Sequence, residues 1–490
     1  MRKILLTLIS FVGLAALVAC GDRSSVHTPV PPGPSTGNNA GFSDASLTGT
    51  YVFSVSGFNS NRSFSYASIG VFAADGAGNI TSGTRDTVND TGGQTLSEPI
   101  TGTYSVNQDG RGQAVLNGSS GQVIYRFVMQ SPSSARLFQI SNTSDATGRI
   151  LGVPAVTPAL VSAAPYIVRL DGEDTHKNPY GAIGALTMNG PIAGTIDEND
   201  AGTFNPQLAA TGTTTITGPN GRGTLSFSTS TGTHNFIYYP VTSTHFELIS
   251  TDKNFFLFGY ADQQTAIAAT PAAFAGDQVL NISGYTSNGA IVETGRLTLD
   301  GAGNVTNAIE DYNEAGFYFP SVAFSGSYTV TANGRWTANL VYSNSNVNVA
   351  GWQVSPSKSI ILTTGSSVAN YSVLETGTLS AQTINLTTAS ISGNYAEDLS
   401  GIYVGSGNVE STGNFFADGV GNLSGTIDSQ TPVADNTDIA QTGLYSVTAN
   451  GRATGSIGDV PVVLYTANAD TVYMISSDPN RIYQGRLEKQ

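Results

Sequence analysis

The sequence holds a single cysteine, Cys20, in 490 residues, so no disulfide can form within the chain and its stability must come from apolar cores. Charge is scarce too. Charged residues make up 11% of the chain, against roughly 25% in ordinary soluble domains. Lysine and arginine number 20 against 35 acidic residues, a formal charge of −15. That balance excludes the basic footprint of a nucleic-acid binder and argues against docking on anionic lipid headgroups. The four histidines, His27, His176, His234 and His245, are not paired at metal-ligand spacing, and a satisfied strand-end residue is the simpler reading of His234 and His245. There is no Gly-x-Ser-x-Gly elbow, His-Glu-x-x-His pair or phosphate loop. Carboxylates are plentiful, but none stands out as a glycosidase pair. These absences point to a non-enzymatic chain without cofactor or bound metal. Helical periodicity is missing as well, and beyond the first twenty residues no apolar run approaches the ~20 residues of a spanning helix.

What is present begins at the N-terminus. Arg2 and Lys3 precede an apolar run from Ile4 to Leu17, broken only by Thr7, Ser10 and Gly13. This is the layout of an export signal. The following Leu17-Val18-Ala19-Cys20, with Gly21 next, resembles the bacterial lipobox. The resemblance implies cleavage after residue 19, lipid on Cys20 and a membrane anchor made of acyl chains rather than a spanning segment. Gly21 stands where aspartate would imply retention in the inner membrane, so the expected location is the cell envelope, at the outer membrane. Residues 20–46 read as a Pro/Gly/Ser-rich tether, with Pro29, Pro31, Pro32 and Pro34 forming a semi-rigid spacer.

The remainder repeats. A Gly-x-Tyr-x-Val strand leads into an Asn/Asp-Gly-Arg turn at Gly102–Val106 with Asp109-Gly110-Arg111, at Gly326–Val330 with Asn333-Gly334-Arg335, and at Gly443–Val447 with Asn450-Gly451-Arg452. A weaker copy runs from Gly212 to Arg222. Each strong copy follows an Asp-Gly-x-Gly-Asn turn: Asp75–Asn79, Asp300–Asn304 and Asp418–Asn422; the second repeat keeps only Asn189-Gly190 and Gly194. The spacing of about 110 residues exceeds solenoid and propeller-blade periods and suits a whole small domain. The repeats are 47–153, 159–263 (degenerate), 272–380 and 389–490, with connections short enough to predict independent folding.

Within each repeat the apolar period is two, as in Tyr104/Val106 and Tyr328/Val330, and Asn-Gly and Asp-Gly turns are strong hairpin signals. About eight short strands per repeat predict an all-β chain of four tandem antiparallel domains, each an eight-stranded up-and-down barrel whose closure removes exposed edges. A two-sheet sandwich is the alternative. The repeat resembles those of uncharacterised bacterial lipoproteins with Asp-Gly-x-Gly-Asn and Gly-x-Tyr strands, and in strand order is loosely similar to avidin- and lipocalin-type barrels. That resemblance implies no activity.

Candidate sites are the repeated turns. In a meander, alternate turns share one end at ~10 Å separation, so Arg111 is expected to reach Asp75, Arg335 to reach Asp300 and Arg452 to reach Asp418. Asn79, Asn304 and Asn422 complete the set. The choice lies between a binding rim and exposed ion pairs of minor stabilising effect. Calcium fits poorly. An acid does follow at the twelfth position (Asp86, Asp311), but Ile80 and Val305 occupy the place of the required glycine. The aromatic runs Phe317–Phe319 with Trp352, and Phe236–Tyr239, read as partner platforms or as core. Two functions follow: a binding and spacer protein for a protein or polysaccharide partner, or a carrier of small apolar ligands inside the barrels. Hydrolysis of an envelope polysaccharide is a third, less supported option.

Overall fold

The computed structural model describes residues 40–490 except 60–64, 141–143, 154–163, 175, 189, 217–220, 254, 369–370 and 433. The leader, Cys20, most of the tether, Asn189 and Asn220 lie outside the described residues. The rest forms four closed antiparallel barrels of eight strands each, in simple meander order. They run over Thr48–Val153, Tyr166–Gln263, Gly276–Ala381 and Ser392–Lys489. Closure settles barrel against sandwich: Tyr51 on the first strand pairs with Phe72 on the second and with Gly152 on the eighth. Single-turn 3-10 segments at Asp44–Ser46 and Thr388–Ser390 precede the first and fourth barrels.

The repeated motifs close one end of the first, third and fourth barrels. The tyrosine of Gly-x-Tyr points inward, and its hydroxyl donates to the segment before the first strand: Tyr104 to Leu47 O at 2.7 Å, Tyr328 to Pro271 O at 3.0 Å and Tyr445 to Ile391 O at 2.6 Å. Tyr328 and Tyr445 also accept from the Asp-Gly turn, from Gly301 N and Gly419 N, each at 3.1 Å. The turn, the strand and the entering chain are thus tied at a buried polar point that would otherwise go unsatisfied. The glycine two places earlier is needed for close approach: a β-carbon at Gly326 would collide with the backbone of Asn339.

The barrels are not separate beads. Apolar outer faces pack Val52, Ile69 and Val71 of the first barrel against Ile237, Tyr239 and Phe256 of the second. Ile167 and Ile183 of the second meet Trp352, Ile360 and Leu362 of the third. Val279 and Val292 of the third meet Val463, Tyr465 and Ile475 of the fourth. The fourth barrel then returns to the first, with Arg136 on Glu488 at 2.7 Å and the Gln490 side chain on Met129 O at 2.6 Å. The contacts therefore form a closed ring, and each barrel has two neighbours.

The joint between fourth and first barrels has different chemistry. Val115, Ile124, Phe138 and Ile140 cluster on the outer face of the first barrel without an apolar partner from the fourth. On the facing strand, Gly407–Asp418, Val409, Phe415 and Ala417 belong to the barrel core. Alternation therefore turns Glu410, Thr412 and Asn414 outward, where the first barrel has Ala67, Ile69 and Val71.

Candidate functional site

The Asp-Gly-x-Gly-Asn turns are self-contained. Asp300 Oδ1 accepts from the backbone of Ala302 and Asn304, both at 2.8 Å, and Oδ2 accepts from Asn304 Nδ2 at 2.7 Å. Asp75 and Asp418 do the same with Asn79 and Asn422. The Asn side chain is the largest cause that lowers these carboxyls, to about 2 for Asp418. Gly301 sits at φ +79°, a conformation that favours glycine. With both carboxylate oxygens engaged, this is a hairpin lock.

The two repeated turns do share one barrel end, since Asn79 pairs with Thr103 and Tyr104 N donates to Gly78 O. The expected arginine pairs, however, do not form. Arg335 instead makes a bidentate pair with Asp197 of the second barrel, both bonds 2.8 Å. Arg452 does so with Asp311 of the third at 2.7 Å, and Arg222 with Asp86 of the first at 2.6 and 2.8 Å. Arg111 closes the series on Asp428 of the fourth at 3.3 Å, while also engaging Asp109 and Asp438. The acids are buried and the arginines at most partly exposed: each arginine reaches back to the preceding barrel, and the first reaches round to the last.

The acceptor sits opposite a bulge. In the third strand of each barrel one residue, Asp86, Asp197, Asp311 or Asp428, faces two residues of the fourth strand. Strand alternation turns its carboxylate outward. Its Oδ1 also accepts from the backbone of a left-handed residue on the next strand, Ser97, Gln207, Ser321 or Asp438, at 2.8 to 3.1 Å. Three of the four acids receive a further bond from a neighbour's aromatic residue: Tyr239, Trp352 and Tyr465. The aromatic runs suggested as partner platforms thus supply joints, with Tyr318 also donating to Asp311. At the fourth joint the equivalent residue is Val128, paired with Arg111. Burial raises Asp311, yet Arg452 and the two tyrosines hold it below its usual range; burial dominates at Asp428, which is raised.

Where the ring's barrels meet, a cavity of about 630 Å³ is lined from all four. Its charges are matched within the chain: Arg149 with Glu247 at 2.6 Å, Arg169 with Asp171 at 2.7 Å, Lys358 with Asp262 at 2.7 Å. His245 bridges Asp262 and Glu247 and is raised, with burial opposing and the two carboxylates prevailing. This cluster acts as polar cement. His234 is packed among Phe227, Phe255 and Tyr180 inside the second barrel, where burial lowers it.

The remaining site lies inside the third barrel, a cavity of about 440 Å³ walled by Leu280, Leu297, Leu340, Ile361, Leu379 and Trp336. Register partners explain the space. At the positions of Phe53, Phe72 and Tyr125 in the first barrel, the third has Leu280, Leu297 and Val349. Three carboxyls enter this apolar space: Glu293, Glu310 and Glu375. The first barrel has Ser68, Arg85 and Ala146 at those positions, the second Ala182, Ile196 and Leu257, and the fourth Ser411, Ile427 and Tyr483. Burial, then mutual repulsion, raises all three acids, Glu293 to about 8. At the mouth Glu314 accepts from Tyr371 at 2.7 Å, and Tyr312 stacks on Phe319 with centroids 4.5 Å apart. Sequence reading missed these glutamates because each sits singly among ordinary strand residues. Compared with models of protein families and with curated proteins, the chain matches none.

Proposed function

We propose that this chain is an exported, lipid-anchored and non-catalytic binding protein of the cell envelope, whose third barrel holds a small molecule. The observation that carries this reading is the difference between homologous barrels. The first is filled by Phe53, Phe72 and Tyr125, whereas the third has aliphatic side chains at those three positions around about 440 Å³, within the range of small-ligand pockets. The ring of joints serves as a rigid mount, and Cys20 with its tether places that mount near a membrane. Of the two functions expected from sequence, the carrier is favoured over the polar spacer, in one barrel rather than four. The test is titration of the mature chain, made without leader or lipid, with the neutral fluorophore Prodan. One site per chain is expected, lost when Leu280→Phe and Leu297→Phe restore the first barrel's filling. Four equivalent sites, or binding untouched by these substitutions, would refute the assignment.

A further inference from the structure

The chemistry of the cavity specifies the ligand more closely, on the reading that the third barrel is a binding site. We infer that the third barrel takes an organic ammonium ion: an amine whose cationic head sits among Glu293, Glu310 and Glu375 and whose apolar body lies along Leu280, Leu297 and Ile361.

Three observations carry this. First, the cavity lining contains four glutamates, Glu293, Glu310, Glu314 and Glu375, and no lysine, arginine or histidine. The charged cluster of the central cavity, by contrast, supplies its own counter-ions. Second, Glu375 is 3% exposed, and its Oε1 is a buried acceptor without a donor from the chain; the neighbouring acid Glu293 offers it only a shared proton. A buried carboxylate oxygen left in this state costs free energy unless a donor arrives. Third, the first barrel shows what the same position does when the partner is built in. There Arg85 stands where the third barrel has Glu310, and it pairs with Glu98 at 2.6 Å on the next strand. In the third barrel that next-strand position is Val322. The sister barrel thus contains an internal cation and its counter-ion, while the third contains acids and open space.

The groups facing the cluster are consistent with a cationic head. Tyr342 donates to Glu310 Oε2 at 3.1 Å, and Thr363 lines the cavity beside Glu375. Tyr312 and Tyr371 stand at the mouth with Glu314, offering ring faces to an entering ammonium. Asp311, next to Glu310, is turned outward and engaged by Arg452. Burial and mutual repulsion raise the three acids and so favour their protonated forms. An ammonium displaces protons and takes their place as the neutralising charge.

The experiment compares n-octylamine with 1-octanol, matched in apolar body and differing in the head, by calorimetry and by displacement of Prodan from the mature chain. Octylamine is expected to bind at least about tenfold more tightly than octanol. The double variant Glu310→Gln, Glu375→Gln should weaken octylamine by about tenfold or more while leaving octanol within about twofold. Glutamine matches the shape of the protonated acid, so the variant keeps the barrel's packing, and its octanol and Prodan binding reports that directly. Equal affinity for the two ligands, or octylamine binding unchanged in the double variant, would overturn the ammonium assignment and leave the hollow-barrel reading standing. Failure of Prodan, octanol and octylamine alike would overturn both.

Discussion

Arg335→Ala removes one partner of a buried pair and so tests the ring joints. The two side chains are 8% and 0% exposed, with both nitrogen–oxygen bonds at 2.8 Å. After the substitution, Asp197 keeps only neutral donors, Trp352 Nε1 at 2.7 Å and Gln207 N at 3.0 Å. Breaking a buried pair in this way costs about 3–5 kcal/mol, because a charge is left uncompensated. Gly301→Val, by contrast, forces a β-branched residue to φ +79° with its β-carbon 3.2 Å from that of Ala275. That costs about 1–2 kcal/mol for the backbone, plus a small adjustment in an exposed turn. Arg335→Ala is therefore the more damaging, the reverse of the order that an exposed pair would give. If the roughly 440 residues of the ring melt as one unit, the unfolding entropy is about 0.9 kcal/mol/K and a 4 kcal/mol loss lowers Tm by about 4 °C. If a barrel of about 105 residues melts alone, the same loss lowers its own transition by nearly 20 °C. Differential scanning calorimetry separates the two. A shift for Arg335→Ala smaller than that for Gly301→Val would mean that the Arg335–Asp197 joint does not carry the ring's stability.

Other consequences can be checked alongside it. Thr412 is fully buried on the fourth barrel's outer face and its hydroxyl has no partner; Thr412→Val should raise stability by about 1 kcal/mol, read as a higher denaturation midpoint, and a lower midpoint would contradict the description of that joint. Burial raises Glu293 to about 8 and Glu397 to about 8, so the folded chain holds protons there that the unfolded chain has released. The contribution of these two groups to stability is then fully present below the ordinary glutamate range and falls as pH rises towards about 8; Glu293→Gln should flatten that fall in unliganded protein, and an unchanged slope would count against the protonated cluster. Cys20→Ala should release the exported chain from membranes in a detergent-partition assay, and retention would refute the lipid anchor.

The barrel was legible in the sequence because its causes are local. Alternation in segments such as Tyr104-Ser105-Val106 sets the strand faces, and Asp-Gly and Asn-Gly turns connect them, so strand count and meander order follow without reference to distant residues. The partners of the arginines were not legible, since ring closure brings Arg335 to Asp197 across 138 positions. A signal was nonetheless present. Asp86 and Asp311 both lie eleven residues after the turn aspartate, a recurrence open to reading as a calcium-loop position, but occupied in the structure by the acid that receives the next barrel's arginine. The cavity was hidden for a different reason. Glu293, Glu310 and Glu375 lie on three strands at unrelated spacings, and only the closed barrel turns them to one interior. Their distinctness emerges on comparison with Ser68, Arg85 and Ala146, once register has aligned the barrels.

The most direct measurement is a crystal structure of the mature chain soaked with 6-bromohexylamine, with the bromine located by its anomalous signal. One bromine per chain is expected, inside the third barrel and towards its apolar wall, with the ammonium nitrogen within hydrogen-bonding distance of Glu375. Bromine sites shared among all four barrels, a site only in the central cavity, or an empty third barrel would contradict the third-barrel assignment.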